Sequence, residues 1–148
     1  MTDFKLPPDL SFNRGLIADP SEFAQDAGAA SWLYLCGEEF AQMDGGMSYE
    51  QVEAAVPTLV NVVADPPVPF DLEIAQQLLD ALDGLPRPAL VTCRTGPRSS
   101  AIVYLYAGLQ AGASADDVLA AADADEAPFT KVEPYRELVV NGLSELSV

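Results

Sequence analysis

The chain of 148 residues contains no histidine and only two cysteines, Cys36 and Cys93. The absence of histidine excludes Ser-His-Asp and Cys-His catalysis. A zinc site would have to be assembled from thiolates and carboxylates, and the two cysteines are too far apart in sequence to form a CxxC pair. We therefore expect no metal ion and no other cofactor. Any nucleophile must be activated by something other than a histidine base.

Basic residues are scarce relative to acidic ones. The chain has 23 Asp and Glu residues against seven Lys and Arg residues, which gives a formal net charge of −16. A surface with this charge repels nucleic-acid backbones and anionic membranes, so neither is expected as a partner. It also disfavours the capture of acidic phosphopeptides at low salt. The expected partner is a small anionic substrate, and the sequence leaves the oligomeric state open.

Long hydrophobic runs are also missing. No apolar stretch approaches the roughly 20 residues that are needed to cross a bilayer. The N-terminal segment MTDFKLPPDLSF lacks the basic and apolar regions of a secretory signal. We therefore expect a cytoplasmic protein. A hydrophobic content of 49% over this length predicts that residues 1–148 form a single domain around one core.

Strand and helix patterns alternate over the first part of the chain, and only helix patterns occur after it. Strands are predicted at 9–17 (a short strand or a hairpin), 31–36, 59–64 and 89–92, and helices at 19–27, 48–56, 71–84, 99–111, 114–124 and 133–146. The acidic segment 37–47, which contains two adjacent glycines, predicts a surface loop. This order predicts an α/β fold with a central, mostly parallel sheet flanked by helices.

The chemistry concentrates in residues 88–100, PALVTCRTGPRSS, where a predicted buried strand runs through a short turn into a helix. The backbone N–H groups of such a turn and the N-terminus of the helix form a cradle for anions. Cys93 is the first residue of the turn, so its thiol lies in this field. The thiolate is then favoured without a histidine base, and Cys93 is the candidate nucleophile.

Other residues of this loop have roles that their chemistry suggests. Arg98 can bind two oxygens of an oxyanion, and Ser99 can donate a hydrogen bond to the Cys93 sulfur. Gly96 permits a positive φ or a close approach of the ligand. The remaining candidates for oxyanion binding are Arg94, Thr95 and Pro97. The alternative is a core cysteine before an ordinary Thr-Gly-Pro turn, but strand, cysteine, glycine, arginine, serine and helix in sequence favour a site.

Residues 93–99, CRTGPRS, resemble the active-site loop of the phosphatase-like domain of beta-lactamase-hydrolase-like proteins, a bacterial branch of the tyrosine-phosphatase superfamily. The similarity begins at the N-terminal Leu-Pro-Pro-Asp-Leu-Ser and ends at the helix after the loop, and only the loop is specific. It implies a three-layer phosphatase-like fold and a cysteine-dependent phosphatase that hydrolyses phosphate monoesters. In that reaction Cys93 attacks phosphorus, Arg98 and the loop amides hold the phosphoryl oxygens, and Ser99 assists release of the thiolate.

The resemblance also implies a general acid on a loop before the cysteine. Asp65 lies 28 residues before Cys93, directly after a predicted strand, and it is the candidate for protonating the leaving oxygen. Asp65 could instead cap the proline-rich turn directly after it. Thr92 stands where tyrosine phosphatases commonly have a histidine.

The loop departs from the tyrosine-phosphatase pattern in its length. Four residues separate Cys93 from Arg98, whereas five separate the cysteine and arginine of tyrosine phosphatases. The shorter spacing is typical of rhodanese domains, so a sulfurtransferase with a persulfide on Cys93 is the alternative function. Rhodanese domains usually have another strand after the loop helix, and its absence here favours the phosphatase architecture. A third possibility is a non-catalytic anion-binding module. Cys36 is expected to be a core residue rather than a resolving thiol.

Overall fold

Four strands form one parallel sheet in the computed structural model, which describes residues 4–65 and 68–148. The strands are β1 (Leu10–Phe12), β2 (Ser31–Tyr34), β3 (Thr58–Asn61) and β4 (Ala89–Thr92), in the spatial order β1-β4-β2-β3. Ala89 pairs with Leu10 on one side and with Ser31 on the other, so β4 is a central strand. The predicted α/β class with a parallel sheet is confirmed.

Seven α-helices and one 3-10 helix surround the sheet in the part of the chain that the structure describes. They are α1 (Pro20–Ala27), α2 (Glu38–Ala41), α3 (Tyr49–Glu53), α4 (Leu72–Asp83), α5 (Pro97–Ala111), α6 (Ala115–Ala124), the 3-10 helix Pro128–Lys131 and α7 (Glu133–Glu145). Within the described residues 93–148 no strand follows β4, as the sequence predicts for residues 99–148. None of the described helices has both the length and the apolar character that a membrane span requires.

Several helices begin at a residue whose side chain caps the helix. The side chains of Asp19, Asp71 and Ser114 each accept a hydrogen bond from the backbone N–H three residues later. Ser48 and Gln51 form a complete capping box at the start of α3. These side chains satisfy N–H groups that have no partner within the helix, which fixes where each helix begins.

The structure corrects several predicted boundaries. Segment 37–47, predicted as a loop, contains the short helix α2, which begins after Gly37. Helix α5 begins at Pro97 rather than at Ser99, because proline has a suitable φ for the first helical position and needs no hydrogen-bond partner there. The predicted strand 59–64 ends at Asn61, and the predicted strand or hairpin 9–17 is a three-residue strand.

The two faces of the sheet carry separate hydrophobic clusters. Leu33 and Val91 point into a cluster shared with α4, α5, α6 and α7, whereas Trp32 and Leu90 point into a cluster shared with α1, α2 and α3. Adjacent residues of one strand enter opposite clusters because side chains alternate across a strand. Both clusters are closed by helices, so the predicted three-layer arrangement is confirmed. The carboxyl ends of the strands, where Cys93 lies, remain at one edge of these layers.

Candidate functional site

Cys93 lies where β4 ends and α5 is about to begin. Its side chain is 6% exposed and opens into a cavity of about 230 Å³. The lining residues are Asp65, Cys93, Arg94, Thr95, Pro97, Arg98, Val132 and Tyr135. Six of the eight residues that the sequence singles out are in this lining, and the other two, Gly96 and Ser99, contact the Cys93 sulfur. The candidate residues therefore converge on one cavity.

The Cys93 sulfur is surrounded by donors from the start of α5. Its Sγ accepts hydrogen bonds from the backbone N–H groups of Gly96, at 3.1 Å, and Ser99, at 3.4 Å. The Ser99 hydroxyl oxygen also lies 3.4 Å from Sγ. The N-terminus of α5 adds its partial positive charge at the same place. Donors and a dipole in this arrangement stabilise negative charge on sulfur.

Gly96 is required by the conformation of the loop. Its φ is +114°, a value that residues with a Cβ rarely adopt. A Cβ at this position would lie 2.1 Å from the backbone oxygen of Asn13. The backbone of Asn13, directly after β1, thus approaches Gly96 closely.

Asp65 and Arg94 form an ion pair in the cavity wall. Arg94 Nε and Nη2 donate to the two carboxylate oxygens of Asp65 at 2.6 and 2.8 Å, and Asp65 is only 5% exposed. The hydrogen bonds that Arg94 donates to Asp65 raise the pKa of the Arg94 guanidinium. Both oxygens of the candidate general acid are therefore engaged by Arg94, for which the sequence suggests only oxyanion binding.

Arg98 is held towards α7 rather than towards the sulfur. Its Nε donates to the Tyr135 hydroxyl at 3.0 Å, and its Nη1 donates to the backbone oxygen of Val68 at 3.4 Å. The guanidinium carbon lies 5.3 Å from the centre of the Phe70 ring, and Phe70 in turn packs edge-on against Tyr135. The contacts with Tyr135 and Phe70 hold the guanidinium at the cavity wall.

Asn13 is a site residue that sequence reasoning missed. It is fully buried, and its Oδ1 accepts hydrogen bonds from the Cys93 backbone N–H at 3.2 Å and from the Ser99 hydroxyl at 2.9 Å. Its Nδ2 donates to the Cys93 carbonyl oxygen at 3.0 Å. Tyr135 was missed as well. Neither residue belongs to a local motif, because the folded chain alone brings them to the loop.

Thr92 turns away from the cavity, towards the opposite face of the sheet. Its hydroxyl oxygen accepts a hydrogen bond from the Trp32 indole N–H at 2.8 Å, and both side chains are fully buried. Thr92 therefore accepts the indole hydrogen bond of a core tryptophan, at the position where tyrosine phosphatases commonly have a histidine.

Cys36 occupies the core, as the sequence predicts. It is 1% exposed and belongs to the cluster that contains Trp32 and Tyr34. Burial, and after it the nearby charge of Asp65, raises the pKa of the Cys36 thiol well above its usual range. Cys36 is therefore held as a neutral thiol.

Comparison with known proteins places this geometry in a recognised fold. No protein-family model matches the chain, and no curated protein matches it. The core catalytic domain of the PP-IP phosphatase Siw14 from S. cerevisiae is structurally similar, with a TM-score of 0.62 and 16% identity over 98% of this chain and 84% of that one. The chain has a phosphatase-like fold.

Two further solved structures have folds similar to that of this chain. A DUF442 phosphatase candidate from Shewanella putrefaciens CN-32 has a TM-score of 0.60 and 18% identity, covering 98% of this chain and 93% of that one. TpbA from P. aeruginosa has a TM-score of 0.55 and 15% identity, covering 93% and 84%. The phosphatase-like architecture expected from the loop is thus confirmed at the level of the fold.

Proposed function

We propose that this phosphatase-like protein is a cysteine-dependent phosphatase that hydrolyses phosphate monoesters of small molecules. One observation carries the proposal. Cys93 Sγ receives N–H groups from Gly96 and Ser99 at the start of α5, and it faces a cavity whose wall holds the guanidinium groups of Arg94 and Arg98. The phosphatase named for the similar yeast domain supports the same reaction class.

The first step transfers the phosphoryl group to sulfur. The Cys93 thiolate attacks phosphorus, a P–S bond forms, and the ester P–O bond breaks. Loop N–H groups and Arg98 stabilise the charge that develops on the phosphoryl oxygens. The leaving oxygen takes a proton from Asp65. In the second step water attacks phosphorus, Asp65 accepts a proton from that water, and the P–S bond breaks to return the thiolate and release inorganic phosphate.

This role of Asp65 requires its ion pair with Arg94 to open. Both Asp65 oxygens accept N–H groups from Arg94, so a proton on either oxygen would displace one of these bonds. A bound phosphoryl group offers Arg94 an alternative pair of oxygens. When Arg94 turns to the substrate, one Asp65 oxygen becomes free to carry the proton. Substrate binding and formation of the acid are therefore coupled.

The proposal is tested with an aryl phosphate such as p-nitrophenyl phosphate. The wild-type protein should release the phenol and inorganic phosphate, and Cys93→Ser should reduce kcat/KM by at least about 10³-fold, because it removes the nucleophile. Cys36→Ser is the matched control and should retain activity within a few-fold. A folded wild-type protein with no turnover across pH and salt, or a Cys93→Ser variant with full turnover, would contradict the proposal.

A sulfurtransferase is the second candidate. Its support is the spacing of four residues between Cys93 and Arg98, together with loop amides that close directly on Sγ. In this reaction the thiolate attacks the outer sulfur of thiosulfate, an S–S bond forms on Cys93, and sulfite leaves as the original S–S bond breaks. The persulfide then passes its outer sulfur to an acceptor thiolate. Asp65 has no part in this chemistry.

Mass spectrometry separates the two reactions. After incubation with thiosulfate, a sulfurtransferase gains the mass of one sulfur atom on Cys93, whereas a phosphatase keeps its mass. A folded protein that shows neither the adduct nor phosphate release, but is protected from alkylation at Cys93 by inorganic phosphate, would instead be an anion-binding module.

A further inference from the structure

One side chain from a distant segment of the sequence, Asn13, is hydrogen-bonded to the Cys93 loop. Asn13 comes directly after β1, is fully buried, and makes hydrogen bonds to the loop through both ends of its amide. We propose that Asn13 is a positioning residue that fixes the Cys93 loop and accepts the Ser99 hydroxyl hydrogen whenever the Cys93 thiol is protonated. The proposal rests on the proposed function only in taking Cys93 as the nucleophile.

The orientation of the Asn13 amide is set by its neighbours. The Cys93 backbone N–H can only donate, so the atom that it meets at 3.2 Å must be the amide oxygen. The carbonyl oxygens of Cys93, Gly15 and Arg94 can only accept, so the atom that they meet at 3.0, 3.0 and 3.4 Å must be the nitrogen. The two assignments agree. A carboxylate in this place could not donate to any of these carbonyls.

The Ser99 hydroxyl has one hydrogen and three acceptors within reach. Asn13 Oδ1 lies at 2.9 Å, the Gly96 carbonyl oxygen at 3.2 Å and Cys93 Sγ at 3.4 Å. With the thiol protonated, the S–H can donate to Ser99 Oγ while Ser99 donates to its nearest acceptor, Asn13. With the thiolate formed, Sγ has no hydrogen to donate, and the Ser99 hydrogen turns to the sulfur.

This exchange leaves no polar group of the site without a partner. When the thiol loses its proton to solvent, Ser99 keeps its own hydrogen and only changes acceptor. Asn13 Oδ1 then retains the Cys93 N–H. A buried acceptor that lost its only donor would carry a desolvation cost. The bond from the Cys93 N–H to Asn13 Oδ1 avoids that cost. Asn13 therefore permits Ser99 to respond to the charge on sulfur.

The backbone of Asn13 also restricts the loop. Its carbonyl oxygen lies 2.1 Å from the place where a Cβ on Gly96 would be. The main chain of the loop thus packs directly on the end of β1, while the amide holds both termini of the Cys93 peptide unit. Asn13 acts on the sulfur through the backbone of the loop and through Ser99, and it is not itself one of the residues that line the cavity.

The other groups that can influence the sulfur are on different elements. Asp65 from the segment after β3, Arg94 from the loop, Arg98 from α5 and Tyr135 from α7 line the cavity with Cys93. The Cys36 thiol, after β2, interacts electrostatically with Cys93. None of these groups is changed by a substitution at Asn13. A shift in the ionisation of Cys93 after such a substitution would therefore come from the replaced side chain at position 13.

The chain offers a control in Asn61, an exposed asparagine with the same kind of amide donor. Its Nδ2 donates to the carbonyl oxygens of Tyr34 at 2.7 Å and Cys36 at 3.1 Å, so it also fastens the backbone beyond a parallel strand. Its bonds go to the segment of the other cysteine. Asn61→Asp loses the same kind of donor and adds the same charge, away from the Cys93 loop.

The test measures the rate of Cys93 alkylation by iodoacetamide against pH, in a Cys36→Ser background. Asn13→Asp should move the midpoint of this profile upward by about one pH unit or more, which slows alkylation below the midpoint about tenfold. Asn61→Asp should leave the midpoint in place. An unchanged midpoint in a folded Asn13→Asp variant would overturn the proposal. Because alkylation needs no turnover, failure of the phosphatase proposal would appear separately, as absent hydrolysis with the expected profile.

A second measurement covers the case in which Asn13→Asp fails to fold. In the unsubstituted chain, the NMR signals of the Asn13 side-chain amide should shift with pH and share the midpoint of Cys93 alkylation. The shift at that midpoint should disappear in Cys93→Ser. Asn13 amide signals that stay constant across the alkylation midpoint would contradict the exchange of the Ser99 hydrogen.

Discussion

The two cysteines follow adjacent parallel strands at the same edge of the sheet and yet have opposite environments. Cys93, after β4, precedes a tight loop and the long helix α5, and its sulfur receives two backbone N–H groups beneath an open cavity. Cys36, after β2, precedes the four-residue helix α2, is sealed in the core, and has a thiol pKa raised by burial. Position at the carboxyl edge of a sheet thus does not suffice to make a reactive thiol.

The two cysteines differ in the backbone segment on their C-terminal side. After Cys93, Gly96 turns the chain so that the first N–H groups of α5 point at the sulfur, and Asn13 fixes that turn from below. After Cys36, the Asn61 side chain donates a hydrogen bond to the backbone, as Asn13 does at Cys93. The helix that follows Cys36, α2, is however short and begins with acidic residues. The Cys93 segment is distinguished by backbone N–H groups that point at the sulfur. At Cys36 an asparagine also holds the backbone, but no such N–H groups are described there, and the thiol is structural.

The largest effect should come from replacing the glycine in each of these segments. Gly96→Ala places a Cβ at positive φ and against the Asn13 carbonyl oxygen, which should cost about 3 kcal/mol of unfolding free energy and most of the proposed aryl phosphatase activity. Gly37→Ala meets only Val63 at 3.4 Å and should change the stability by less than about 1 kcal/mol. Urea unfolding and kcat/KM measure both. Equal costs would remove the distinction between the segments.

A smaller effect should result from neutralising Asp65, which lies between the two cysteine segments in the sequence. Asp65→Asn removes the proposed proton donor and should lower kcat about 10²-fold for an alkyl phosphate, whose leaving group needs the proton. The loss for p-nitrophenyl phosphate, which has a good leaving group, should be much smaller. Asp71→Asn, which preserves the cap of α4, is the control and should be near wild type. Equal losses for the two substrates would exclude Asp65 as the general acid.

The smallest effect concerns the pH dependence of stability from Cys36. Burial raises the pKa of this thiol in the folded chain, so its contribution to stability is fully present below the ordinary thiol range, around pH 8.5, and is lost as the pH rises. Wild type should therefore lose up to about 1.4 kcal/mol more per pH unit above that range than Cys36→Ala does. Urea unfolding at pH 7, 9 and 10 tests this. Parallel curves for the two proteins would show that folding does not raise the pKa of the Cys36 thiol.

Local signals in the sequence predict most of the fold. The caps at Asp19, Ser48 and Asp71 and the β-branched and apolar strands lead to the correct order of elements, because these interactions join residues close in sequence. Helix α2 was missed because its four residues lie in an acidic, glycine-containing stretch. The error reflects a short helix whose pattern is too brief to recognise.

The site was only partly predictable. The cysteine, the glycine turn and the helix start are contiguous, so the loop could be recognised from residues 93–99. The partners of its side chains could not, because Asn13 comes from 80 residues away and Tyr135 from 37 residues beyond Arg98. The pairing of Asp65 with Arg94 is likewise a long-range contact.

The sequence by itself determined an α/β chain in which a cysteine, without any histidine, precedes a glycine turn and a helix N-terminus. Those properties are local, since they depend on composition and on the conformations of neighbouring residues. Only the tertiary structure decided that Cys93 is open to a cavity while Cys36 is sealed, and that Asn13 closes the loop. Burial and hydrogen bonding between distant segments set these outcomes, and they exist only once β1, β2 and β4 are side by side.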